Sequence, residues 1–145
     1  MLNNSTIQTI GCAMSLALIG VVAISDCRAQ VRWTFEFYAV DGIRVEERLM
    51  RTGDESKERE IQSYIEEMLY GPMSPDLMPL FPVGTRVLSV LYRNEDVYIN
   101  MSEDAVLLQP DIFQSVQLLD SGIRRNFPVL KQIKIFIAGH EIQNF

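Results

Sequence analysis

The chain has 145 residues, 48% hydrophobic and 22% charged, which is the composition of one folded globular domain with room for a short appendage. The formal net charge is −6, and the only charges in the first thirty residues, Asp26 and Arg28, cancel. The folded part is therefore acidic, which excludes electrostatic attraction to nucleic acid or to an anionic lipid surface as its basis of action.

Both cysteines, Cys12 and Cys27, precede residue 31. The body of the chain thus holds no disulfide, cysteine nucleophile or thiolate metal site. Residues 1–30 stand apart. From Thr6 to Ser25 no side chain is charged, and Ile7 to Ile24 reaches the lower limit of a membrane span. A cleaved signal peptide is the equal alternative, with small residues at Ala23, Ser25 and Ala29 and no basic residue before the apolar run. Lipidation at Cys27 is a third reading, with Asp26 a poor residue at the preceding position. Each reading attaches the chain to a membrane or exports it, and places residues 31–145 outside the cytoplasm.

The body opens with Trp33, Phe35 and Phe37 alternating with Arg32, Thr34 and Glu36, a period-two pattern that predicts a strand with the aromatics inward. Asp41-Gly42 signals a turn, and Ile43 to Met50 predicts the return strand of a hairpin. Asp54 or Ser56 is placed to cap a helix over residues 57–70, with Ile61, Ile65, Met68 and Leu69 on its apolar face. Gly71 suits the left-handed position after that helix, and Pro72 stops it.

Pro72, Pro75, Pro79 and Pro82 then punctuate a segment that also holds Leu77, Met78, Leu80 and Phe81. The pattern predicts a packed crossover in which Leu77, Leu80 and Phe81 seal one end of the core. The functional alternative is an apolar partner-docking loop of Leu77, Met78, Leu80 and Phe81. A second hairpin follows, with Leu88, Val90 and Tyr92 on one face of its first strand and Val97, Ile99 and Met101 on one face of its second. Ser102 is a candidate cap. Ile112, Val116, Leu119, Ile123 and Phe127 make a helical stripe that Pro128 ends, and Ile133, Ile135 and Ile137 predict a last strand.

The order β-β-α-β-β-α-β predicts a single small α+β domain over residues 31–145. Two amphipathic helices cover one face of a mixed sheet of about five strands. The other face, with Arg32, Thr34, Glu36 and Lys134, is expected to meet water.

Four stretches carry a family resemblance. They are the helix end at Leu69, Gly71 and Pro72; the loop at Pro82, Gly84 and Thr85 leading to Leu88, Val90, Val97, Ile99 and Ser102; the closing Phe127, Pro128, Val129, Ile133, Ile135 and Gly139; and the opening hairpin with Arg48 at an often basic position. Together they resemble the GerMN domain of bacterial envelope proteins, over nearly all of residues 31–145. Asn100-Met101 and the stretch from Leu118 to Arg125 depart from the family pattern. The resemblance implies an extracytoplasmic, membrane-tethered domain, linked to sporulation in some bacteria. It also implies a fold similar to modules that build rings and scaffolds, and no catalytic activity.

The residues themselves offer little chemistry. His140 is the one histidine, in an expected turn. No nucleophile elbow, phosphate loop or two-histidine metal spacing is present in the sequence. The acidic pairs Glu46-Glu47, Glu66-Glu67 and Glu103-Asp104 are candidates for carboxylate chemistry, and Asp104 with Asp111 for a divalent ion. Arg124, Arg125, Lys131 and Lys134 form one basic cluster, expected to be ordinary surface.

Two functions are therefore expected. The first is a non-catalytic, cofactor-free interaction or scaffold module that docks an envelope protein or itself. The alternative is an envelope enzyme or ligand binder acting on cell-wall material, for which Trp33 and Tyr38 are possible sugar-stacking groups.

Overall fold

The computed structural model describes residues 30–51, 56–107 and 112–142. The N-terminal segment with Cys12 and Cys27, the candidate cap Asp54 and the candidate ligand Asp111 lie outside the described residues.

The expected α+β order is present. Strands β1 (Gln30–Ala39) and β2 (Gly42–Arg51) form a hairpin, followed by helix α1 (Lys57–Leu69). After the proline-rich segment come β4 (Val87–Arg93), β5 (Asp96–Met101), a short 3₁₀ turn (Glu103–Val106), helix α2 (Ile112–Asn126) and β6 (Gln132–Ile137). Two short strands were not legible: β3 (Leu77–Met78) and β7 (His140–Ile142). β3 hides among prolines, which rarely sit in a ladder, yet two residues suffice to pair Leu77 and Met78 with Ala39 and Tyr38.

The strands form two sheets instead of the one expected. The first has the order β2-β1-β3 and is antiparallel; the second has the order β4-β5-β6-β7 and is mixed, with β5 and β6 parallel. The tight hairpins are visible in backbone angles. Asn94 and Glu95 (φ 53° and 68°) join β4 to β5, and Ala138 and Gly139 (φ 49° and 83°) join β6 to β7. Positive φ at both central residues is what a two-residue turn between twisted strands demands.

One continuous core joins the sheets. α1 packs against β4 and against α2, while α2 packs against β1. Ile61, Ile65 and Met68 of α1 are buried as the helical spacing predicts, and so are Val116, Leu119 and Ile123 of α2. Ser56 caps α1, its hydroxyl accepting from the Arg59 N–H at 3.3 Å.

Two side chains lie on the opposite face from the one expected. Leu88 was expected inward with Val90 and Tyr92, but the β4–β5 register shifts between Val87 and Ser89 and turns Leu88 to solvent. A bulge adds one residue and so breaks the period-two rule. Glu36 was expected on a wet face, yet it is buried and pairs with Arg125 at 2.5 Å. α2 lies along that edge of β1, and the Asn126 side chain takes up both backbone groups of Thr34. The Thr34 N–H donates to Oδ1 at 2.9 Å, and Nδ2 donates to the Thr34 carbonyl at 2.8 Å.

Tyr64 is the centre of the aromatic core. Its ring stacks on Phe35 at 4.9 Å and meets Trp33 and Phe127 edge-on at 5.6 and 5.7 Å. The hydroxyl donates to the Thr34 carbonyl at 3.1 Å. Burial, and next the charge of Glu36, push the phenol well above its ordinary range. An unfolded tyrosine ionises near pH ~10. Above that point the native state holds a proton that the unfolded state has lost, so stability falls as pH rises. Urea unfolding from pH 8 to 11 is expected to show this alkaline loss, and Tyr64→Phe to flatten it.

Candidate functional site

The hairpin is locked to the end of α1 through Arg48. Its side chain is buried on the inner face of β2, over the Phe35 ring at 4.7 Å. Nε donates to Glu46 at 2.7 Å, one terminal nitrogen donates to the Gly71 carbonyl at 2.7 Å, and the other reaches the Glu67 carboxylate and carbonyl, both at 3.3 Å. Glu46 in turn accepts from the backbone N–H of Met73 at 3.1 Å. One guanidinium fork thus fixes β2, the last turn of α1 and the chain beyond Pro72. Arginine suits such a fork, and lysine does not.

The expected motif positions build turns. Gly71, at φ +89°, donates its N–H to the Met68 carbonyl at 3.1 Å. Gly84, at φ +99°, allows Thr85 to turn back, with its hydroxyl donating to the Pro82 carbonyl at 2.8 Å. Ser102 Oγ accepts from the Arg86 N–H at 3.1 Å and donates to Asp104 at 2.9 Å, which ties the start of β4 to the end of β5. It makes no side-chain cap bond to the 3₁₀ turn it precedes. Leu69 packs partly buried against the core, Phe127 is buried just past α2 ahead of Pro128, and Gly139 closes the last hairpin.

In the proline-rich segment Leu80 and Phe81 are buried, Leu77 is half-buried against the core, and Met78 is exposed. Leu80 and Phe81 have no surface to offer a partner. The apolar surface nearby belongs instead to residues that the motif turns push outward. Tyr70 is 83% exposed, Met73 78% and Val83 99%. Tyr70 and Val83 stand on a groove of about 560 Å³ between the end of α1 and the 83–87 segment, with Leu69 and Val87 behind them and Glu66 and Arg86 on its walls. Sequence reasoning missed these three because each lies next to a turn residue, where no helix or strand period assigns a face.

The carboxylate pairs diverge. Glu46 turns inward to Arg48, while Glu47 turns outward to Arg32 at 3.2 Å. Glu66 accepts from Gln62, and Glu67 leans to Arg48. His140 is exposed at the start of β7, and no cluster of metal-ligating side chains exists among the described residues. Trp33 is buried in the core and has no face to offer a sugar. The basic cluster is neutralised, with Arg124 on Asp120, Arg125 on Glu36, Lys131 on Glu95 and Lys134 near Glu141. No helix among the described residues is long and apolar enough to cross a membrane.

The family model for sporulation and spore germination, Germane, matches residues 36–143. The chain belongs to this family. Among solved structures it is similar to the tandem GerMN domains of the sporulation protein GerM from Bacillus subtilis (TM-score 0.57, 16% identity), covering 83% of this chain and 43% of that one. It is similar also to the first GerMN domain of GerM (TM-score 0.53, 19% identity, 75% of this chain and 85% of that one). A third is a candidate lipoprotein from Clostridium perfringens (TM-score 0.51, 18% identity, 77% of each chain). At these identities the likeness is one of fold. No curated protein matches the chain. In this chain Gly71, Gly84 and Gly139 form turns, and Tyr70, Met73 and Val83 are exposed near the first two.

Proposed function

We propose that this GerMN domain is a non-catalytic interaction module of the bacterial envelope, tethered by its N-terminal segment and working outside the cytoplasm. Tethering draws support from the uncharged Thr6–Ser25 run and from the lipoprotein character assigned to the Clostridium perfringens neighbour. The observation that carries the reading is the pair Tyr70 and Val83, large apolar side chains held in water across one groove by two glycine turns. Exposed apolar side chains gathered on a groove, unlike ones scattered singly, are a mark of an interaction site. Aromatic side chains set in a shallow groove are the usual anchors of protein–protein contacts.

The test is cross-linking in intact cells, followed by purification of the full-length chain and mass spectrometry, with a chain lacking residues 1–30 as control. A reproducible envelope protein is expected with the full chain. It is expected to be lost in the Tyr70→Ser, Val83→Ser double variant, whose thermal midpoint should stay within a few degrees of the parent. A partner retained at full yield by the double variant sinks the groove as the docking site.

A further inference from the structure

We infer that the free edge of β2 pairs antiparallel with the same edge of a second copy of this chain, in the register centred on Glu47. The inference rests on the interaction-module reading above, but uses a different surface from the Tyr70–Val83 groove.

β2 ends the three-stranded sheet, so its outer edge meets no strand among the described residues. Which of its backbone groups are free follows from β1. Asn126 takes both backbone groups of Thr34, and β3 pairs with Tyr38, so this set of β1 residues aims away from β2. Thr34 lies opposite Glu47. In an antiparallel ladder the residue opposite such a position also aims away from its partner. Ile43, Val45, Glu47, Leu49 and Arg51 therefore present their N–H and C=O groups along the free edge.

Nothing on β2 blocks that edge. The strand spans ten residues, contains neither proline nor lysine, and keeps a regular register with β1 throughout. Proline, edge lysine, bulges and inward-pointing charges are the usual devices against edge pairing, and of these β2 has only the last. Its inward charges, Glu46 and Arg48, bond to one another and to the chain around Gly71, so they do not repel an incoming strand. On the solvent face Ile43, Val45 and Leu49 are 56%, 53% and 63% exposed.

Two nearly full-length antiparallel registers keep the solvent faces of two copies aligned. One is centred on Glu46, and sets Glu46 against Glu46 and Arg44 against Arg48 of the second copy. The other is centred on Glu47, and sets Val45 against Leu49 and Glu46 against Arg48 of the second copy, twice by symmetry. Apolar and opposite-charge cross-strand pairs stabilise a ladder, and like charges weaken it. Charge complementarity thus selects the second register. Its one like pair, Glu47 on Glu47, has Arg32 at 3.2 Å from each carboxylate. The outcome is isologous, as a two-fold dimer requires, and joins two three-stranded sheets into one.

The test uses the full chain in membranes, with Glu47→Cys as a reporter. In the inferred register the two Glu47 positions form a hydrogen-bonded pair with Cα atoms about 5.5 Å apart, a separation a disulfide spans. Mild oxidation is expected to yield a dimer whose linkage mass spectrometry places at the two introduced thiols. Ile43→Cys, which faces Arg51 of the second copy, is expected to give none. Adding Val45→Lys to Glu47→Cys is expected to cost the dimer without moving the thermal midpoint. Equal cross-linking at positions 43 and 47, or none at 47, overturns the inference. If the unmodified chain still captures an envelope protein through the groove, the interaction-module reading survives that failure. A chain that neither links nor captures anything overturns both.

Discussion

Replacing Arg48 by alanine is expected to lower the unfolding free energy by about 3–5 kcal/mol, the range for removing one partner of a buried ion pair. Only 8% of the Arg48 side chain and 15% of Glu46 meet solvent. The alanine variant leaves the Glu46 carboxylate without its cation and the Gly71 carbonyl without its donor. It also removes the guanidinium from the Phe35 ring. Urea unfolding at neutral pH measures the loss directly. Arg48→Lys is expected to fall between the parent and the alanine variant, because one ammonium group cannot reach Glu46, Glu67 and the Gly71 carbonyl in the fork geometry. A loss below about 1 kcal/mol for Arg48→Ala would class the network with exposed surface pairs. Stability would then no longer account for a basic residue at this position.

That network marks the boundary of what the sequence tells. The helix that Arg48 holds was legible, since Ile61, Ile65 and Met68 recur at helical spacing and Gly71-Pro72 ends the run. The β1–β2 and β4–β5 hairpins were legible from alternation and turn residues. Local periodicity reports only which face of an element is apolar. It does not report which sheet a strand joins, so two sheets were read as one. It also cannot report a partner far along the chain. Glu36 alternates with aromatics and looks solvent-facing, until Arg125 arrives on α2 to neutralise it. Asn126, an unremarkable helix-end residue by sequence, lies 92 positions from the strand edge it satisfies.

The candidate surface shows the same limit from the other side. Hydrophobicity drew attention to Leu77, Met78, Leu80 and Phe81; Met78 is exposed, and the other three are buried or half-buried. The most exposed apolar groups around the segment are Tyr70, Met73 and Val83, each beside a glycine or proline that forces the chain to turn. A turn fixes backbone direction, and the neighbouring side chain points wherever the turn leaves it. Packing takes Leu80 and Phe81 of the proline-rich segment, and exposure is left to its corners. A partner meeting this domain at the groove would contact Tyr70 and Val83 beside the turns at Gly71 and Gly84.

The second large effect concerns the contact between the helices. Gly122 sits on α2 where it faces α1, and a Cβ there would overlap the Tyr64 hydroxyl and lie 3.1 Å from Met68 Cε. Alanine at an exposed helical site would raise stability by roughly 1 kcal/mol through propensity. At Gly122 the opposite sign is expected. Tyr64 is held by stacking on Phe35 and by its bond to the Thr34 carbonyl, so it has no free space to yield into. Gly122→Ala should therefore destabilise the domain by about 1–3 kcal/mol, the usual cost of overfilling a packed core. Tyr64→Phe removes the clashing oxygen at the loss of one hydrogen bond, about 0.5–1.5 kcal/mol. The Thr34 carbonyl keeps its bond from Asn126. The double variant should then be more stable than the sum of the two single losses predicts, by about 0.5–2 kcal/mol of coupling. Four urea titrations close the cycle. Strict additivity would mean that α2 shifts away from α1 as a whole and that the Tyr64 hydroxyl does not set the distance between the helices.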